Sequence, residues 1–158
     1  IGLGSNLGDA VSQVQRAFTD LGQLTDTKLV ARSSLYRSAP VAYLDQPDFV
    51  NAVAKLETTL SARALLQALL QIEHQHGRER TFRNAPRTLD LDVLLYDDLQ
   101  FHEHGLTIPH PRMHERAFVL RPLLEIAPEI DIPAVGPAQQ ALQNYEYQVT
   151  ERLAVVIS

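Results

Sequence analysis

Two aspartates separated by one residue are the side chains of this sequence best suited to chemistry. Asp90 and Asp92 lie within the otherwise apolar residues 89–96, a pattern that predicts a strand. Residues two apart in a strand face the same side, so both carboxylates are expected to point to one place. Mg²⁺ would relieve their repulsion, because it takes one or two carboxylates together with water and substrate phosphates. The alternative is a pair of solvated acids at a sheet edge, although Asp is depleted in strands.

A basic segment, residues 78–88, lies just before these aspartates. It contains four arginines and one acid: Arg78, Arg80, Arg83 and Arg87 against Glu79. The whole chain has a net charge of −5, so the segment is a local exception that suggests an anion site. Guanidinium groups bind phosphate oxygens in pairs, and phosphoryl transfer needs positive charge over the transferred group. A solvated basic loop is the alternative interpretation.

His110 and His114 are four residues apart and could suggest a metal-binding pair. Pro111 disfavours helix at His110, and the zinc motif His-Glu-x-x-His is absent from the sequence. We therefore do not expect zinc. His110 and Arg116 are expected either to contact phosphate or to be ordinary surface groups.

Two further features are ambiguous. Glycines at positions 2, 4 and 8 precede a predicted helix, but they match neither the Rossmann nor the P-loop spacing, so we interpret them as a glycine turn.

Phe49 and Asn51 share one face of a predicted strand. A ring and an amide could stack on and hydrogen-bond a flat heterocycle, or they could be a core residue beside a polar edge residue.

Composition narrows the class of protein. A chain of 158 residues predicts a single domain over residues 1–158. Because cysteine is absent, disulfides, thiolate nucleophiles and Cys-type zinc sites are excluded. The acidic net charge argues against non-specific nucleic-acid binding, and no apolar run reaches membrane-spanning length. We expect a cytoplasmic monomer with no nucleic-acid or membrane partner.

Hydrophobic periodicity predicts an α/β (α+β) protein with the order β-α-β-β-α-β. Strands are predicted over residues 1–4, 28–37, 49–58, 89–96 and 106–108, with a strand-like tail over 153–157. Helices are predicted from an Asp9 cap to Gly22, from a Ser61 cap to Gly77 and over 138–142, with a helix or turn over 113–120. Residues 39–47 and 78–88 are predicted loops, and His102 and His104 are expected on an exposed loop. The order matches the ferredoxin-like plan, a mainly antiparallel sheet with helices on one face.

Several stretches taken together resemble one family, the 6-hydroxymethyl-7,8-dihydropterin pyrophosphokinases of folate biosynthesis. The resemblance is carried, in chain order, by Gly4-Ser5-Asn6-Leu7-Gly8, Ser34-Leu35-Tyr36-Arg37-Ser38, Asp45-Gln46-Pro47-Asp48-Phe49-Val50-Asn51, Ile72-Glu73, Gly77-Arg78-Glu79-Arg80, Pro86-Arg87-Thr88-Leu89-Asp90-Leu91-Asp92, Ile108-Pro109-His110-Pro111-Arg112-Met113 and Glu125-Ile126-Ala127-Pro128. The combination of Arg-Thr-x-Asp-x-Asp with Pro-His-Pro-Arg is highly specific.

The resemblance implies a ferredoxin-like domain that binds MgATP first and the pterin second. It implies transfer of diphosphate to the pterin hydroxymethyl group, with release of AMP. Asp90 and Asp92 would hold two Mg²⁺ ions, and Glu73 would lie in the nucleotide pocket. The triphosphate would be lined by Arg78, Arg80, Arg87, His110 and Arg116. The pterin would be held by Ser38, Phe49, Asn51 and Phe118. Arg78, Arg87 and Asp92 are the predicted catalytic groups.

The chain also departs from the family pattern. Asn84-Ala85 stands where the family often has Trp-Gly, and the basic segment is one residue shorter, which puts an aromatic lid from this segment in doubt. Phe82 is a candidate substitute. The tail after Pro137 matches no motif.

Two other functional classes remain open on sequence alone. Many glycosyltransferases use Asp-x-Asp with Mg²⁺, although such enzymes are normally longer than this chain. A ferredoxin-like RNA-binding module is the other, against which stand the acidic charge and the lack of an aromatic-basic strand.

Overall fold

The computed structural model describes residues 1–6, 9–38, 48–77 and 89–154, and every structural statement below concerns those residues. The predicted loop 39–47 and the basic segment 78–88 lie outside them.

Ten strands and four helices are found in these ranges. The strands are β1 Gly2–Ser5, β2 Thr27–Arg32, β3 Tyr36–Ser38, β4 Phe49–Thr58, β5 Asp90–Asp92, β6 Phe101–Glu103, β7 Leu106–Ile108, β8 Asp131–Ile132, β9 Gly136–Pro137 and β10 Thr150–Arg152. The helices are α1 Ala10–Gly22, α2 Ala62–Gln75, α3 Ala117–Ile126 and α4 Ala138–Gln143, with a short 3-10 turn at Met113–Glu115.

The main sheet of the described chain has six strands. Five of them follow the order β10-β3-β4-β1-β5, in which neighbouring strands are hydrogen-bonded. The sixth strand, β2, also pairs with β4. Each of these pairs is antiparallel. Helix α1 links β1 to β2, and α2 links β4 to β5. The sequence prediction of a ferredoxin-like, mainly antiparallel βαββαβ core is therefore confirmed.

Strand β4 is the centre of the sheet, and both of its faces are buried. Val50, Ala52 and Ala54 join the apolar cluster that contains the core residues of α1 and α2. Val53, on the opposite face, packs in a second cluster with Leu120 of α3. Because successive side chains of a strand alternate in direction, α3 lies on the face opposite α1 and α2. The prediction of helices on one face holds for α1 and α2 only.

The ends of the first two helices are as predicted. Asp9 accepts a hydrogen bond from the Ser12 N–H at 3.1 Å, and Ser61 accepts one from Ala64 at 3.1 Å. Gly77 has a φ of 86°, the left-handed conformation that commonly ends a helix.

A buried histidine joins the end of α2 to α1. His76 Nδ1 lies 2.6 Å from Gln13 Oε1, and its Nε2 lies 2.6 Å from Asp20 Oδ2. These contacts position the last residues before the basic segment 78–88.

Three differences from the predicted bounds precede the tail. Residues 28–37 form two strands, β2 and β3, separated at 33–35. The strand predicted over 89–96 is only β5, since the Leu94 carbonyl accepts from His110 N–H at 2.9 Å instead of continuing a ladder. Helix α3 extends to Ile126 with Pro122 inside it. Burial of Leu120, Pro122 and Leu123 offsets the hydrogen bond that a proline removes.

The tail also differs from its prediction. Helix α4 is confirmed, but the last described strand is β10, three residues before the predicted start at 153. Residues 155–158 lie outside the described ranges. Within the described ranges, none of the helices has the length and apolar character needed to cross a membrane.

Candidate active site

The two aspartates of β5 lie on one face of the sheet, as the spacing predicted. In the antiparallel ladder with β1, Asp90 is opposite Gly4 and Asp92 is opposite Gly2. Gly4 is in turn opposite Asn51 of β4. Directly opposed residues project on the same face of a sheet. Asp90, Gly4 and Asn51 therefore form a row across three strands, with the carboxylate at one end and the amide at the other.

Gly4 keeps the middle of this row open. A Cβ at this position would lie 3.1 Å from Asn51 Oδ1, tighter than ordinary van der Waals contact. The sequence interpretation of these glycines as a turn missed this role. A glycine inside a strand is itself a signal of close approach by a ligand or another group, and that signal was available.

The amide end of the row is a pair of hydrogen-bonded polar side chains. Asn51 Nδ2 donates to Ser38 Oγ at 2.8 Å, and both side chains are buried. Phe49 is directly opposite Ser38 in the β3–β4 ladder. The structure thus brings together three of the four residues expected to hold a heterocycle.

The carboxylate end of the row brings two like charges close together. Loss of solvent raises the pKa of Asp92, and the neighbouring Asp90 carboxylate raises it further, while His110 and Arg116 oppose the increase. A hard cation between the two carboxylates would relieve this unfavourable pairing. Their oxygen donors fit Mg²⁺. The described ranges contain no arrangement of three or more His, Asp or Glu side chains that would hold a metal ion.

His110 and Arg116 bring a neutral donor and a positive charge to Asp92. Burial lowers the pKa of His110, and the charges of Arg116 and Arg112 lower it further against the attraction of Asp92. The Nδ1 of His110 accepts the Arg112 N–H at 3.2 Å, which leaves the Nε2 proton as the available donor. The Arg116 guanidinium carbon lies 5.5 Å from the centre of the Phe118 ring. Arg116 thus links the fourth expected heterocycle residue, Phe118, to the carboxylate end.

Glu73 holds the strand between the aspartates. Its side chain is buried, and its Oε2 accepts the Leu91 N–H at 2.7 Å. Since Leu91 is the residue between Asp90 and Asp92, this charge-assisted bond from α2 fixes the backbone that carries both carboxylates.

A cavity of about 610 Å³ adjoins Asp92 and His110. Its wall includes the β6–β7 hairpin, and the volume is within the range of small-molecule sites. The lining residues are Leu66, Leu91, Asp92, Val93, His102, Glu103, His104, Gly105, Leu106, Thr107, His110 and Pro111. His102 and His104 are exposed, as expected, but His102 lies in β6 and not in a loop. Their place beside this cavity carried no sequence signal, because it depends on how the hairpin packs.

Three of the predicted phosphate-binding residues, Arg78, Arg80 and Arg87, lie outside the described residues. The others form two adjoining groups. Asp90, Asp92, Glu73, His110 and Arg116 are at the carboxylate end, and Ser38, Phe49 and Asn51 are at the amide end, with Phe118 beside Arg116.

Known proteins match this chain along most of its length. The family 7,8-dihydro-6-hydroxymethylpterin-pyrophosphokinase matches residues 1–128. A 2-amino-4-hydroxy-6-hydroxymethyldihydropteridine pyrophosphokinase of Haemophilus influenzae is 50% identical over 133 residues, which is 84% of this chain and 83% of that protein. The Pseudomonas aeruginosa protein of the same name is 43% identical over 153 residues, 97% of this chain and 94% of its own.

A longer relative is similar to this chain over one part of its own length. The folic acid synthesis protein fol1 of Schizosaccharomyces pombe is 41% identical over 149 residues, which is 94% of this chain but 20% of that protein. The family match covers the strands and helices that build the candidate site, from β1 to α3. The chain belongs to the 7,8-dihydro-6-hydroxymethylpterin-pyrophosphokinase family, and it is a diphosphotransferase.

Proposed function

We propose that this chain transfers the diphosphate group of ATP to the hydroxymethyl group of 6-hydroxymethyl-7,8-dihydropterin, with release of AMP, as a step of folate biosynthesis. The names of its relatives support the reaction. The observation that carries the proposal is the row Asp90–Gly4–Asn51, in which a carboxylate suited to a cation and an amide suited to a flat heterocycle lie on one face of the sheet.

Asp90 and Asp92 would hold two Mg²⁺ ions. When bound, these ions would neutralise charge on the phosphate oxygens and orient the β-phosphorus for in-line attack. The carboxylates are held for this task by the β1 ladder on one side and by the Glu73 carboxylate on the other. The Asp90 charge contributes to the raised pKa of Asp92, and a bound cation would offset this repulsion.

The triphosphate would be bound by Arg78, Arg80, Arg87, His110 and Arg116. His110 is suited to donate from Nε2, since its Nδ1 is already an acceptor. The adjoining cavity has room for the nucleoside, with Thr107 and the hairpin on its wall. Glu73 would act on the nucleotide site through Leu91, from beneath the carboxylate pair. Arg78 and Arg87 would neutralise charge as it develops toward AMP.

The pterin would lie against Phe49 and Phe118, with the side chains of Asn51 and Ser38 hydrogen-bonding its heteroatoms. The acceptor hydroxyl oxygen forms a bond to the β-phosphorus as the bond from the β-phosphorus to the α-bridging oxygen breaks, so AMP leaves with that oxygen. The hydroxyl proton must pass to a base. Asp92 is the candidate, provided that it keeps a lone pair free of metal.

A product analysis tests this function. The chain is incubated with ATP, Mg²⁺ and 6-hydroxymethyl-7,8-dihydropterin, and nucleotides and pterins are separated by chromatography. We expect AMP and pterin diphosphate to appear in equal amounts, and neither to form without pterin or with excess EDTA. Release of ADP, or AMP formation that is independent of pterin, would contradict the proposal.

A further inference from the structure

Two site residues, Arg116 and Phe118, lie at the start of α3, and this helix start lacks a side-chain cap of its own. Arg116 occupies the N-cap position of α3, but its side chain makes no capping hydrogen bond. The first N–H groups of a helix have no partner within the helix, so an uncapped start is easily frayed. Fraying here would displace Arg116 and Phe118 together, because Phe118 is in the first turn.

Gln148, from the tail that matched no sequence motif, supplies the missing cap. Its Oε1 accepts the Ala117 N–H at 2.9 Å, and its Nε2 donates to the Glu115 carbonyl at 3.1 Å. The amide therefore holds both backbone neighbours of Arg116. It is directed inward, while the side chains on either side of it, Tyr147 and Val149, are 73% and 81% exposed.

The residues after Gln148 pair with β3, the strand that carries Ser38 at the amide end of the site. Thr150 starts strand β10 and is directly opposite Ser38 of β3. Only one residue separates Gln148 from this strand. The tail thus joins the start of α3, which carries Arg116 and Phe118, to the strand that carries Ser38.

We propose that Gln148 is a positioning residue for the transfer reaction. By holding Glu115 and Ala117, its amide fixes Arg116 beside Asp92 and holds Phe118 at the acceptor pocket. This assignment rests on the proposed function for the roles of Arg116 and Phe118, while the clamp itself rests on the two hydrogen bonds.

Gln148→Met tests the clamp, because methionine has nearly the same shape and makes neither hydrogen bond. Gln148→Glu is the partial rescue, since its carboxylate can still accept the Ala117 N–H next to a positive helix N-terminus. Thr27→Val is the matched control. It removes a part-buried hydroxyl pair with Thr58, 2.7 Å apart, at the far end of β4. For each variant the melting temperature, amide hydrogen exchange, and kcat and KM for pterin and ATP are measured.

We expect Gln148→Met to speed exchange of the Ala117 amide about tenfold or more and to lower kcat/KM for pterin about tenfold. Gln148→Glu should fall between Gln148→Met and wild type. Thr27→Val should keep wild-type kinetics at a similar loss of melting temperature.

Wild-type kinetics in Gln148→Met, or unchanged Ala117 exchange, would overturn the proposal. So would an equal loss of kcat/KM in Thr27→Val, which would show only a general effect of stability, or a Gln148→Glu variant no better than Gln148→Met. A wild-type chain that forms no AMP would refute the proposed function, whereas the exchange of Ala117 would still report on the clamp by itself.

Discussion

Gly4 and Asn51 are direct cross-strand partners, and a Cβ on Gly4 would lie 3.1 Å from Asn51 Oδ1. The same Asn51 side chain donates to Ser38 from its amide nitrogen. A methyl group at position 4 would therefore displace the Asn51 side chain, which is expected to bind the acceptor. It would do so through one contact and without touching the carboxylates.

Gly4→Ala should raise the KM for pterin about tenfold or more, because Asn51 must shift to avoid the new methyl group. The KM for ATP should change less. Pterin titration by calorimetry, in the presence of a non-hydrolysable ATP analogue, measures the effect directly. Gly22→Ala is the control, since its added Cβ would meet only Leu29 at an ordinary 3.8 Å. Unchanged pterin affinity in Gly4→Ala would refute the role given to this glycine.

Glu125 of α3 joins this helix to β3 by a hydrogen bond from Tyr36. Its contribution to stability should depend on pH. Its carboxylate accepts from Tyr36 Oη at 2.6 Å and from Ser34 Oγ at 2.9 Å. Desolvation alone would raise the pKa of Glu125, but the hydrogen bonds from Tyr36 and Ser34 and the charge of Arg152 outweigh it and lower the pKa below its ordinary 4.5. Burial, followed by the contact with Glu125, raises the pKa of Tyr36 to about 12, so Tyr36 remains the donor.

A carboxyl with a lowered folded-state pKa stabilises the fold fully above its unfolded pKa and loses this effect as pH falls through the folded value. Glu125→Gln should therefore lower the free energy of unfolding at pH 7 by about 1 kcal/mol, and its difference from wild type should shrink below pH 4.5. Urea unfolding across this range measures both. Glu129→Gln, an exposed acid nearby, is the control. A difference that grows on acidification would contradict the assignment.

Substitution of Glu73 should change the Mg²⁺ requirement of turnover more than the other kinetic parameters. Glu73→Ala removes the acceptor of the Leu91 N–H and frees the backbone between Asp90 and Asp92. We expect a several-fold rise in the Mg²⁺ concentration for half-maximal turnover, with a smaller rise in Glu73→Gln, whose amide oxygen can still accept this bond. Turnover measured as a function of Mg²⁺ concentration at saturating ATP tests this prediction. An unchanged Mg²⁺ dependence in both variants would exclude this positioning role.

The arginines of the basic segment should matter most in the transition state. Arg78→Ala and Arg87→Ala are expected to lower kcat about 100-fold or more, with ATP affinity reduced less, because the charge they neutralise develops only during transfer. ATP affinity is measured by calorimetry. If kcat and ATP affinity fall equally, the arginines bind the ground state and the transition state equally well, which would contradict this prediction.

The sequence predicted those parts of the fold that depend on local chemistry. Alternation gave β4 with its exact bounds, and the caps at Asp9 and Ser61 gave the helix starts, because each depends on residues a few positions apart. The shared face of Asp90 and Asp92 followed from strand geometry alone. Parts that depend on distant partners were missed. Beyond β5 the Leu94 carbonyl accepts a hydrogen bond from the His110 N–H, and α3 tolerates Pro122 because its apolar face is buried on β4.

The candidate site divides in the same way. Ser38, Phe49, Asn51, Asp90, Asp92, His110, Arg116 and Phe118 were predicted from motif positions, and Gly4 was assigned only to a turn. The Gln148 clamp had no signal, since an amide reaching 31 residues back along the chain leaves no local pattern.

The aspartate pair is the centre of this account, and its most direct test is turnover of Asp90→Asn and Asp92→Asn at saturating ATP and ordinary Mg²⁺. Each substitution keeps size and removes one charged oxygen ligand. We expect AMP formation to fall about 100-fold or more in both variants with the melting temperature maintained, while Asp98→Asn, at an exposed turn, keeps wild-type turnover. Near-normal turnover in either Asp90→Asn or Asp92→Asn would contradict the assignment of the metal to these two carboxylates.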